Sequence, residues 1–118
     1  MSNIFYNIKE ETNMEERNLK YNDIVRHFKR ESVDNKTSMY LYRIINIGIH
    51  SETKEKMMIY QGLYGDFSYY VRPLDMFLSK VDKEKYPNIK QEYRFEKTNL
   101  TDDEKEIIKK EYTKINHD

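Results

Sequence analysis

Two apolar runs, "MYLYRIINIGIH" and "KMMIYQGLY", face each other across the polar reversal "SETKE". Both are rich in β-branched and aromatic residues, which suit a pleated, half-buried surface. Joined by so short a polar link, they predict an antiparallel hairpin, and that hairpin constrains the chain more than any other feature. Little else is available to bury. Only 37% of the 118 residues are hydrophobic, and the mean hydropathy is -1.01, so a single modest core must be concentrated here.

The segments around the hairpin continue the β pattern. "DIVRHFK" is a short β-rich run, and "RESVDNKTS" reads as a charged surface loop. The first apolar run has no clean alternation, so it is expected to bend, with Gly48 as the candidate bulge or corner. In "GDFS", Gly65-Asp66 marks the next reversal. "YYVRP" follows and ends at Pro73, which cannot donate to a strand ladder. "LDMFLSKV" begins as a single helical turn, "DKEKYPNIK" is a loop, and "QEYRFEK" alternates as a last, partly exposed strand.

The ends differ in character. Residues 98–118 form the clearest helix: Thr101 and Glu104 make a capping box, and Asp102 and Asp103 suit the positive end of the dipole. Ile108, Tyr112 and Ile115, with Ile107 beside them, give it one apolar stripe. Residues 1–22 are polar, with Ile4, Phe5 and Ile8 clustered at helical spacing and a helix extending through Met14 and Leu19. The expected organisation is therefore an N-terminal arm or helix (1–22), a β domain (23–96) and a C-terminal amphipathic helix (98–118). That helix docks on the β domain or on a partner, a second copy included. The fold class is mainly β, α+β overall: a small SH3-like antiparallel barrel, with an open β-roll as the second arrangement.

Composition narrows the function classes. Lys+Arg and Asp+Glu both number 21, so the basic excess of a nucleic-acid binder is missing, although a local basic face is not excluded. Without cysteine there is no disulfide, thiol nucleophile or zinc-thiolate site. No long apolar run marks a signal peptide or membrane span, so a cytoplasmic, soluble protein is expected. The 11 Tyr and 5 Phe, with no Trp, suit half-wet walls, since tyrosine buries a ring and keeps a hydroxyl in need of a partner.

Five stretches occur in a telling order: "RHFK" (Arg26 to Lys29), "YLYRI", "HSET" (His50 to Thr53), "IYQGLYG" and "VRPLDMF" (Val71 to Phe77). Between Val25 and Val81 the chain resembles the domain of unknown function 1653 family, small proteins of bacteria and their phages. It departs from the family pattern at Val25, where a tyrosine is usual, and at Tyr70, where a tryptophan precedes Val-Arg-Pro. "RESVDNKTS" looks like an insertion into the first hairpin, and both ends look longer than the minimal domain. The resemblance implies a small β domain and brings no established reaction.

Chemistry must therefore be read from side chains. His50 and Glu52 at the hairpin tip, with Ser51 and Thr53, are either turn chemistry or the rim of a cleft shared with Arg26 and His27. No metal-ligand spacing, nucleophile elbow or glycine-rich phosphate loop occurs, so no catalytic residues, metal or cofactor are assigned. Anion binding fits more of the residues. Arg26, His27, Lys29 and Arg72, with Arg43, are placed to converge on one rim, and guanidinium forks suit phosphate or carboxylate. Arg72 either pairs with a carboxylate such as Glu52 or meets a ligand. The expectation is a non-enzymatic module for an anionic, nucleotide-like small ligand, which it would sequester or sense. Arg26, His27 and Arg72 contact phosphate, His50, Glu52 and Thr53 line the ribose or base edge, and Tyr60 or Tyr70 stacks. Two alternatives stay open: a small RNA- or DNA-binding barrel, and a protein-interaction adaptor using the terminal elements. A homodimer through the C-terminal helix belongs with the last.

Overall fold

The computed structural model describes residues 13–116; the expected Ile4, Phe5 and Ile8 cluster lies outside them. Five strands, β1 (Ile24–His27), β2 (Leu41–Ile49), β3 (Lys56–Gly62), β4 (Tyr69–Pro73) and β5 (Phe95–Lys97), form one antiparallel sheet in the order β4-β3-β2-β1-β5. The expected hairpin is β2–β3, in register from Tyr42↔Gly62 to Ile49↔Lys56. β4 extends it as an edge strand and is followed at once by the helical turn α1 (Leu74–Phe77). Pro73 closes β4 at the edge, where its missing N–H costs no ladder bond.

The bend in β2 is not at Gly48, which pairs regularly with Met57. The register slips between Ile44 and Asn46, and the Asn46 side chain accepts from the Ile47 N–H at 2.8 Å. One extra residue reverses the side-chain phase. Tyr42 and Ile44 face the core before it, and Ile47 packs against the same core after it. "RESVDNKTS" is also more ordered than a bare loop, because its first residues belong to a 3-10 helix, Phe28–Ser32.

One face of the sheet carries the main core. Val25, Tyr42, Ile44, Met58, Tyr60 and Phe95 pack there against Met14 and Leu19 of the N-terminal segment and Leu74, Phe77 and Leu78 around α1. Arg17 ties that segment down. Its guanidinium donates to the carbonyls of Leu78 at 3.0 Å and Phe95 at 2.6 Å, and lies 3.8 Å above the Tyr93 ring.

The sheet coils so strongly that its two edges approach. Tyr60 of β3 lies 5.3 Å from Phe95 of β5, ring to ring, and the Arg72 guanidinium of β4 sits 5.8 Å from the same ring. The closed SH3-like barrel is nonetheless not formed. Phe77 of α1 stands between the edges and stacks on Phe95 at 4.2 Å. The chain leaving α1 then pairs with the run into β5, with Lys80 bridged to Tyr93 and the Arg94 N–H donating to the Ser79 carbonyl at 2.9 Å. Side chains and this short ribbon fill the gap that a β4–β5 ladder would have closed.

The second helix, α2 (Asp102–Ile115), starts at the expected capping box: the Glu104 N–H donates to Thr101 Oγ1 at 3.0 Å, and the Thr101 N–H donates to Glu104 Oε1 at 2.9 Å. It packs on the opposite face of the sheet, where Leu41, Leu63 and Phe67 form a smaller cluster with Ile24, Leu100 and Ile108. Arg30 pins its first turn, donating to Glu104 Oε2 at 2.8 Å. Tyr112 and Ile115 stay largely exposed.

Candidate functional site

Where the sheet edges approach, cationic groups gather on an aromatic wall. β4 pairs Met58 with Arg72 and Tyr60 with Tyr70, so Arg72 and Tyr70 share the main-core face. β5 pairs His27 with Phe95 on that same face. Coiling brings the two rows together. Arg72 Nε donates to the Tyr60 hydroxyl at 3.2 Å and lies over Phe95. Arg94, at the entry to β5, donates through Nε to Ser79 Oγ at 3.2 Å.

The guanidiniums act on the groups around them. Burial, then the positive charges of Arg72, Arg94 and Lys29, pushes the His27 imidazole down to about 4. Burial lowers Arg94 from the usual arginine value, and Arg72 lowers it further. His27 is therefore neutral near pH 7. Its Nδ1 accepts the Lys29 N–H at 3.1 Å, which leaves the proton on Nε2 as a donor. Its ring is packed against Phe28 at 4.3 Å, Phe95 at 5.0 Å and Tyr40 at 5.7 Å. Tyr40 holds φ at +70°, a left-handed conformation costly for a bulky residue. Its carbonyl accepting the His27 N–H at 3.0 Å helps to keep it there.

Among the described residues no carboxylate pairs with Arg72 or Arg94, whose recorded side-chain hydrogen bonds go to neutral hydroxyls. A tyrosine cluster continues the wall. The Tyr42 and Tyr64 hydroxyls are 2.9 Å apart, and the neighbouring Tyr64 hydroxyl, then burial, raises the Tyr70 phenol. Tyr70, 38% exposed, is the open end of this wall and lies 5.7 Å from Tyr60. Gly62 permits the crowding, since a Cβ there would come within 3.3 Å of both Tyr64 and Tyr70.

The structure thus brings His27, Tyr60, Tyr70 and Arg72 together, while the other expected residues lie elsewhere. Arg26 follows the pleat to the opposite side from His27 and is occupied: its Nε donates to Gln91 Oε1 at 2.9 Å, and Glu31 lies at 3.9 Å. His50, Glu52 and Thr53 are exposed at the β2–β3 tip, where His50 Nδ1 accepts the N–H groups of Glu52 and Thr53 at 3.2 Å each. That is turn chemistry, and none of the three has a recorded contact with the cluster. Arg43 bonds Asn22 and Gln61 on the α2 side. Arg94 is the residue that sequence reasoning missed. Unlike Arg72, which the sequence sets at a strand end before Pro73, Arg94 carries no local signal, because its nearness to Arg72 and His27 comes from the opposite sheet edge. Among the described residues, no group of three or more His, Asp or Glu is placed to hold a metal ion. No helix there is long and apolar enough to cross a membrane.

A family model described as "Protein of unknown function (DUF1653)" matches residues 23–97, which include all five strands and the whole cluster. No curated protein and no solved structure matches the chain.

Proposed function

The chain belongs to this DUF1653 family, and from its geometry we propose a non-enzymatic binding module for an anionic, nucleotide-like small ligand, which it sequesters or senses. Arg72 and Arg94 take the phosphate, and the Nε2–H of His27 adds a neutral donor. Tyr60 orients Arg72 through its hydroxyl, and the half-open Tyr70 ring offers a face for the planar base. One observation carries this reading: two guanidiniums lie within each other's field with no carboxylate partner among the described residues. A bound anion would offset that repulsion with charge-assisted hydrogen bonds worth about 1.5–3 kcal/mol each. A long nucleic acid is matched less well, because equal numbers of acidic and basic residues leave no general attraction for a polyanion.

Calorimetric titration with adenosine 5′-monophosphate and with adenosine tests the reading. Saturable binding of the phosphorylated compound alone is expected, weakened about tenfold or more in Arg72→Ala and in Arg94→Ala. Equal affinity in wild type and both variants would remove the site from consideration. Native mass spectrometry of the freshly purified protein would identify any phosphorylated molecule that it retains.

A further inference from the structure

A second concavity lies on the other face of the sheet, between α2 and strands β2 and β3. Its volume is about 500 Å³, within the range of small-ligand sites. Leu63, Phe67, Leu100 and Ile108 provide an apolar floor, and the Tyr69 and Tyr112 rings stand at its sides. Gln61, Arg43, Lys105 and Lys109 complete the lining, which contains no carboxylate.

The helix itself sorts its charges. Positions 105, 108, 109 and 112 fall on one side at helical spacing and line the groove. Glu104 lies on the other flank, held by Arg30, and Asp103 and Glu106 line a separate hollow beside Ile107 and Lys110. Among the described residues, the Arg43 guanidinium donates to the side-chain oxygens of Asn22 at 3.1 Å and Gln61 at 2.8 Å and meets no carboxylate. No ion pair is recorded for Lys105 or Lys109 among the described residues. Nor is any α2 residue fully buried, although Phe67 and Tyr112 meet edge to face at 5.3 Å. The helix therefore covers the sheet while leaving an apolar slot whose cationic rim meets no counter-charge among the described residues.

We propose that this groove is a second binding site, for a small amphipathic anion whose aliphatic or aromatic body lies on the apolar floor and whose carboxylate meets Arg43, Lys105 and Lys109. The charge complement and the confined apolar floor both call for one molecule with an apolar body and a single acidic end. The site is independent of Arg72 and Arg94, which lie on the opposite face.

Decanoate and the neutral decanamide, added to isotopically labelled full-length protein and followed by two-dimensional amide NMR, are the test. Decanoate is expected to give saturable shifts centred on Gln61, Leu63, Lys105, Ile108, Lys109 and Tyr112. It should bind about tenfold more tightly than decanamide. The double variant Lys105→Glu with Lys109→Glu should erase that preference, with decanamide binding and the rest of the spectrum kept. Arg72→Ala should leave decanoate binding unchanged. Equal binding of acid and amide, shifts centred on His27 and Arg72, or no saturable response would each overturn the proposal. Response to anionic lipid vesicles without response to decanoate would overturn it too, and would make the groove a membrane contact.

Discussion

His27 shows at the residue scale how one environment sets both charge and role. Buried among Phe28, Tyr40 and Phe95 and facing two guanidiniums, it stays neutral down to about pH 4, against 6.5 when free. Between those values the unfolded chain binds a proton here that the folded chain does not. Stability therefore falls as pH drops from about 6.5 to 4, by at most about 3 kcal/mol and by less after solvent screening. Urea denaturation at pH 7 and pH 4.5 should show this loss in wild type and a smaller one in His27→Gln, once other groups are matched. Equal losses would mean that His27 is not held neutral. Arg72 was legible in the sequence because it stands between Val71 and Pro73 where an apolar strand ends. Arg94 was not, since its importance depends on the opposite sheet edge arriving beside it, and no local pattern reports that. His50 illustrates the converse: a dense polar turn attracts attention, yet its ring nitrogen is used to accept two backbone N–H groups. His50→Ala should cost about 1 kcal/mol through the lost turn bonds and leave the proposed nucleotide binding unaltered; a tenfold loss of affinity in calorimetry would return the tip to the site.

Among the elements, local rules held where local chemistry decides. The capping box of α2, the α1 turn after Pro73 and the β2–β3 hairpin all follow from short-range patterns. The β2 bulge was misplaced because glycine is only one cause of a bulge. Here the run needed to turn Tyr42, Ile44 and Ile47 towards one core, and a slip at Ile45 achieves that. How α2 meets the sheet also turns on a residue with no local signature. Arg30 is nearly enclosed and donates to Thr37 O at 2.6 Å, Met39 O at 3.0 Å and Glu104. Arg30→Ala should cost about 2–4 kcal/mol by leaving those acceptors unmatched. Lys97→Ala, which breaks a more exposed pair with Asp23 at 3.4 Å, should cost under about 1 kcal/mol. Urea midpoints compare the two, and a reversed order would refute this view of how α2 is anchored.

For the whole molecule, the sequence reading reached an antiparallel β protein with a C-terminal helix and overreached in closing the barrel. Strand count and hairpin spacing are written in local patterns, whereas closure depends on what occupies the space between the edges. Phe77 and Phe95, stacked at 4.2 Å and both essentially buried, occupy it. Phe95→Ala should therefore be among the most damaging substitutions, at about 3–5 kcal/mol, because it frees both edges at once. The same arrangement creates the cluster, since an edge approach sealed by aromatic rings rather than by a backbone ladder brings Arg94 within the electrostatic reach of Arg72. The most direct test of that central claim is to follow the Nε–H resonances of Arg72 and Arg94 by NMR while inorganic phosphate is added. The account predicts saturable shifts of both, together with the His27 signals, and loss of the Arg72 response in Arg94→Ala. Unchanged resonances, or shifts confined to other arginines, would contradict it.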